Sequence, residues 1–170
     1  PGEWSTDFAI DKETYLRWFK QMQEMGANTL RIYTVQNDTF YNAFYEYNKD
    51  NDNPLWLIHG VWVNDYIQNS HRDAYDKDFF DAFLEDCKTV VDVLHGNKKI
   101  SLGRMASAGS GTYNKDISKW VIGYILGVEW EDVTVVYTDE KYENNDKYNS
   151  YTGKYMYTAE DATPFEAMLA

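Results

Sequence analysis

The chain has 170 residues, 44% hydrophobic and 26% charged, which suits a globular domain long enough to bury a core. Its 28 acidic residues outnumber 16 basic ones for a net charge of −12, which argues against nucleic acid and anionic membrane surfaces and leaves neutral polymers such as glycans open. The single cysteine, Cys87, excludes an internal disulfide and a zinc cluster, and no apolar run approaches the ~20 residues of a membrane span.

Residues 1–10 read as a loop entering a helix, and the start at Pro1-Gly2-Glu3 without a methionine suggests an excised or processed segment. Asp11 is the expected N-cap of that helix, Glu13 puts negative charge in its first turn, and Tyr15, Trp18, Phe19, Met22 and Met25 recur at helical spacing up to Gly26. Thr29–Val35 then reads as a strand, apolar on both faces apart from Arg31, as in a parallel strand covered on both sides. Asp38 is the expected cap of a short helix through Phe40, Phe44 and Tyr47. After a polar run, Pro54 opens a second apolar strand, Leu55–Val63, followed by a polar loop with Asn64, Asp65, Asn69, Ser70 and His71.

A long helix is expected from about Asp76 to His95, with Phe80, Phe83, Leu84, Cys87, Val90, Val91 and Leu94 on its apolar face and Gly96 ending it. A buried, inert thiol is the expectation for Cys87. Ile100–Met105 reads as a short strand, and 103–111 as a small, flexible stretch. Trp120–Val128 is the third clear strand, and 138–154 reads as a loop rich in Tyr, Asn, Lys and Asp. A last helix starts at Thr163-Pro164, with Thr at the N-cap and Pro at the first helical position. Helices alternating with strands imply an α/β fold, a parallel sheet with right-handed crossovers, in one domain over 1–170.

In parallel α/β folds, chemistry gathers at the C-terminal ends of the strands. Those ends are Tyr33–Gln36, His59–Asn64 and Glu129–Asp132. Glu129 is the most informative, because a nine-residue apolar run delivers a carboxylate to the rim of the sheet. Partial desolvation suits a carboxyl at such a rim to general-acid work near neutral pH. The bland alternative is a solvated or salt-bridged Glu at the start of a loop. Arg31 needs an anionic partner if buried, and a structural ion pair weighs as much as a catalytic role. His59 is a candidate for its strand-end position, although a lone His on an apolar strand is more often a satisfied core residue. Trp62 and Trp130 fit sugar platforms and core packing equally well. Glu131, two residues from Glu129, is too close in sequence to argue for a metal, and no metal or other cofactor is expected. No dinucleotide-binding, phosphate-loop or nucleophile-elbow pattern occurs.

Two stretches carry a family resemblance. YLRWFKQMQEMGANTLRIYTV (15–35) resembles the first helix and second strand of clan A-type glycoside hydrolases, and WVIGYILGVEWE (120–131) resembles their fourth strand. The chain is also similar to poorly characterised bacterial barrel proteins with a G-x-E-W-E pattern. The resemblance implies a (β/α)8 TIM-barrel-like fold, here a partial barrel of about strands two to four with their helices. It implies a retaining O-glycosidase or transglycosylase, with Glu129 as acid/base, or Glu131 after a small misplacement, and a nucleophile outside this segment. Arg31 would support that nucleophile, and Tyr33, His59, Trp62, Trp130 and Glu131 would contact substrate, His59 as a loose match to a strand-three His. An oligosaccharide or polysaccharide is the implied partner, with pairing to the missing barrel half, and the expected location is extracellular or at the cell surface. Val128 stands where the family carries Asn, and Trp130 where it carries Pro. The alternative is a carbohydrate-binding pseudoenzyme or scaffold without the chemistry.

Overall fold

A computed structural model describes residues 10–63, 72–101 and 109–170. The loop expected at 64–71, the chain start and most of the stretches expected at 100–105 and 103–111 lie outside the described residues. The chain forms two compact units, Pro1–Trp62 with Asp86–Val128, and Val63–Glu85 with Glu129–Ala170.

The first unit is a three-stranded parallel sheet with helices. Helix α1 (Lys12–Glu24) starts where Asp11 accepts a hydrogen bond from the Thr14 amide at 2.8 Å. It ends in a Schellman motif: Gly26 at φ 93°, its amide on Gln23 O and the Ala27 amide on Met22 O. Strand β1 (Thr29–Ile32) is shorter than the pattern predicts. Helix α2 (Asp38–Asn48) has Asn37, not Asp38, at its N-cap. Both side chains serve another segment, Asn37 accepting from the Ser110 amide and Asp38 from the Thr112 amide, each at 2.9 Å. Residues on 109–113 that are distant in sequence therefore take the acceptors that local pattern assigned to the helix start.

Strand β2 (Trp56–Trp62) lies between β1 and β5 (Val121–Val128), both parallel to it. The expected parallel sheet is thus present, with a short antiparallel pair, β3 (Lys98–Ile100) and β4 (Gly111–Tyr113); β3 meets the short strand expected from Ile100 at its last residue, while β4 and the pairing were not foreseen. Trp120 ends a single 3-10 turn (Ser118–Trp120) rather than opening the strand. One face of the sheet buries Leu57, His59 and Val61. Beside it Phe19 of α1 meets Phe40 and Phe44 of α2 edge-to-face, each at 5.7 Å.

Helix α3 (Lys77–Leu94) contributes residues to both units and ends in a second Schellman motif at Gly96, φ 71°. Its buried residues are Phe79, Val90, Val93 and Leu94, while Leu84 and Val91 are exposed. The expected face is therefore displaced, because doublets such as Phe79-Phe80 and Val90-Val91 offer two overlapping stripes. No helix among the described residues is long and apolar enough to cross a membrane.

The second unit has a core of Val63, Ala74, Phe79, Phe165 and Met168. Helix α4 (Asp132–Tyr142) takes up the first residues of the predicted 138–154 loop. Its β-branched run Val133-Thr134-Val135-Val136 lacks helical spacing, and tertiary contacts hold it instead. Thr138 Oγ accepts from the Ala74 amide at 3.0 Å, and Asp139 accepts from the Phe165 amide at 2.8 Å. Asp73 accepts from the Tyr75 amide, Lys141 Nζ and the Tyr142 hydroxyl at 2.9, 2.6 and 3.0 Å. Helix α5 (Pro164–Leu169) has Thr163 at its N-cap and Pro164 at its first position, as expected, and Glu166 completes a capping box with Thr163.

Candidate functional site

Registered partners in a parallel sheet share a face, and alternate residues along a strand change face. Arg31 pairs with Ile58, and Ile58 with Gly123; Gly60 pairs with Ile125, and Trp62 with Val128. These residues line the face opposite Leu57, His59 and Val61. Register shifts at Ile122 and Gly127 keep the alternation of β5 in step with β2. The Arg31 guanidinium lies 4.4 Å from the centroid of the Tyr33 ring, which puts Tyr33 on the same side. Arg31 and Tyr33 are exposed, and Trp62 is half-buried.

The floor of this face is glycine. A Cβ on Gly60 would lie 2.5 Å from Tyr33 O and 2.7 Å from Val128 Cγ2, so the backbones of β1 and β2 close up there only because the side chain is absent. A Cβ on Gly123 would meet nothing within 4 Å, so the floor is open beside Ile58. Chemically, the face offers a guanidinium fork whose in-plane N–H groups remain usable while its π face rests on Tyr33. Among the described residues, no carboxylate pairs with Arg31, so the ion pair expected of a buried Arg gives way to stacking at the surface.

His59 belongs to the other face. It is fully buried, and Nδ1 lies 2.8 Å from Gly60 O, which can only accept. Nδ1 therefore carries the proton, and Nε2 accepts from the Tyr41 hydroxyl at 2.8 Å. That hydroxyl also accepts from the Gln36 amide at 3.2 Å, and Gln36 O accepts from the Tyr113 hydroxyl at 2.7 Å. Burial pulls the imidazole pKa down to about 4. Both ring nitrogens are thus occupied inside the core, and a substrate would reach them only by displacing Tyr41.

The remaining candidates lie in the second unit. Glu129 follows Val128 directly and adopts φ 59°, the left-handed region, which a residue with a Cβ seldom enters. Its side chain is exposed, where the sequence pattern predicts a partly desolvated carboxyl. Trp130 sits among Phe165, Phe83 and Phe79, with ring centroids at 4.9, 5.1 and 6.0 Å, in core packing rather than as an open platform. Glu131 is the N-cap of α4, its carbonyl accepting from the Thr134 and Val135 amides.

The structure thus brings Arg31, Tyr33 and Trp62 to one sheet face, separates His59 from them across the sheet, and places Trp130 in a core. Sequence reasoning missed Trp56, Ile58, Gly60, Gly123 and Ile125. The signal was the period-two set Trp56, Ile58, Gly60, Trp62, but β2 is apolar on both faces, so hydropathy could not say which face stays open. Among the described residues, no group of three or more His, Cys, Asp or Glu side chains could hold a metal ion. Comparison with known proteins finds no matching family, no similar characterised protein and no similar solved structure.

Proposed function

We propose that this chain is part of a glycoside-cleaving (β/α)-barrel domain, with Glu129 as the acid/base and the nucleophilic carboxylate outside this segment. The observation that carries the reading is the left-handed backbone of Glu129 immediately after a parallel strand. Strained non-glycine residues cluster at functional sites, and the end of a parallel strand is where such folds do chemistry. The three-stranded parallel sheet supports a barrel origin at the coarser level of an α/β fold.

In the proposed reaction, the Glu129 carboxyl gives its proton to the glycosidic oxygen as the C–O bond breaks and the nucleophile attacks the anomeric carbon. The resulting carboxylate then takes a proton from water, whose oxygen displaces the nucleophile. Arg31 would support that nucleophilic carboxylate, the role the resemblance implies for it. The test assays the parent polypeptide carrying this segment on aryl β-glycosides and β-glucan oligosaccharides, beside Glu129→Gln. Loss of about 10²-fold or more in the second, deglycosylation step, restored by azide as the external nucleophile, is the expected result. Turnover unchanged by the substitution would remove Glu129 from the chemistry.

A second reading has its own observation. Val128, in the place of a sugar-binding Asn in the resembling family, is buried at 7% exposure against Gly60 and offers no hydrogen bond to a hydroxyl. That favours a carbohydrate-binding scaffold without catalysis, and sugar binding unaltered in Glu129→Gln, with no turnover in either protein, would establish it.

A further inference from the structure

We infer that the hairpin at Tyr151–Thr158 is a stacking platform for a neutral, extended glycan chain, with Tyr155 and Tyr157 as the rings that hold it. The inference rests on the carbohydrate reading above and specifies its substrate class, a polymer rather than a small glycoside. Three hydrogen bonds close the hairpin: the Thr158 amide to Tyr151 O at 3.0 Å, the Gly153 amide to Met156 O at 2.8 Å, and the Tyr151 amide to Thr158 Oγ1 at 2.9 Å. Thr152 and Tyr157 form an antiparallel bridge within it. A Cβ on Gly153 would lie 2.5 Å from the Tyr151 hydroxyl oxygen and 2.6 Å from Cε1, so the glycine lets the Tyr151 ring lie across the turn. Above this braced base, Tyr155 is 88% and Tyr157 81% exposed, more than any other large hydrophobic side chain among the described residues. Rings held this far outside a core contribute nothing to folding, and an exposed aromatic patch of this kind marks a binding surface.

Chemistry and size together select the occupant. Both exposed rings are tyrosines, whose flat faces cover C–H groups while their hydroxyls stay in contact with water or with sugar hydroxyls. A pyranose has the matching form, an apolar C–H face with a polar rim. Residues 147–159 contain no Asp or Glu, although the whole chain has 28, so no hydrated carboxylate of this stretch has to be stripped of water when a sugar stacks. Its two lysines rest on the tyrosines that follow them, Lys147 Nζ 5.4 Å from the Tyr148 centroid and Lys154 Nζ 4.8 Å from that of Tyr155. They back the rings instead of forming a cluster aimed at an anion, and a net charge of −12 repels polyanions. A folded protein, a second copy included, needs about 20–30 residues a side for a stable interface, and an eight-residue hairpin falls well short. A glycan chain needs only stacking contacts repeated along its length.

The test measures, by isothermal titration, binding of the hexasaccharides of β-1,4-glucan, xylan and mannan to the parent polypeptide, beside Tyr155→Ala, Tyr157→Ala and Tyr155→Phe. At least one neutral hexasaccharide should bind, and each alanine variant should weaken it about tenfold. Tyr155→Phe keeps the ring and loses only an exposed hydroxyl, so it should stay within about threefold of the original. Both side chains are exposed, and the bonds that close the hairpin come from other groups, so unchanged circular dichroism is expected. Turnover of a small aryl β-glycoside should keep its KM and kcat in the alanine variants, because only a longer chain uses the platform. Hexasaccharide affinity unchanged in both alanine variants would overturn the inference and leave the carbohydrate reading standing. Tighter binding of a polygalacturonate hexamer than of every neutral probe would do the same, as would a dimer in sedimentation velocity that Tyr157→Ala dissociates. No binding of any hexasaccharide would also overturn it, and absence of glycoside turnover as well would overturn the reading beneath it.

Discussion

The Tyr41 hydroxyl donates to His59 Nε2 at 2.8 Å, and this bond ties helix α2 to the central strand of the sheet, where burial keeps the imidazole neutral. The unfolded chain binds the proton at the ordinary value of 6.5, the folded chain only near 4. Between those values the unfolded state holds more protons, so stability rises with pH across the window and is lost as pH falls through it. The loss should reach about 3 kcal/mol by pH 4, and urea unfolding at a series of pH values measures it. The decisive readout is the His59 ring resonance: a titration midpoint near 6.5 in the folded protein would contradict this account.

Asn48 makes a comparable clamp at the other end of α2. Its buried amide donates to Leu55 O at 2.8 Å, and its oxygen accepts from the Leu55 amide at 3.0 Å. Asn48→Ala strands two backbone groups at the entry to β2 and should cost about 3 kcal/mol in equilibrium unfolding. Asn48→Asp keeps the acceptor alone and should also destabilise, because a carboxylate faces Leu55 O.

The two glycines of the sheet face should respond oppositely to the same methyl group. Gly60→Ala forces a carbon against Tyr33 O and Val128 and should destabilise by about 2 kcal/mol. Gly123→Ala meets open space and should leave stability within about 0.5 kcal/mol of the original, or raise it slightly. Similar melting temperatures for the two variants would show that the close approach of β1 to β2 is not as described.

Thr134 in α4 is fully buried, and its hydroxyl has no hydrogen-bond partner among the described residues. Thr134→Val keeps the shape and removes the unsatisfied group, so it should stabilise the second unit by about 1 kcal/mol. Thermal unfolding of the variant checks this, and a lower midpoint would mean that the hydroxyl has a partner after all.

Local chemistry alone determined a good deal of this protein. Asp11, Gly26, Gly96 and the Thr163-Pro164-Phe165-Glu166 start of α5 are stop and start signals whose partners lie within a few residues, so they read directly from the chain. The three parallel strands were legible for a similar reason: each lies in a mostly apolar run between turn residues, broken only by Arg31 and the threonines in the first and His59 in the second. Tertiary structure decided what those runs could not. Asn37 and Asp38 give their side chains to residues more than seventy positions away, and α4 is a helix of β-branched residues held by Ala74 and Phe165. Which face of β2 meets helices and which stays open, hence whether His59 or Arg31 faces outward, also lay beyond the sequence. A strand apolar on both sides carries no periodic signal to break the tie, and only packing against α2 breaks it.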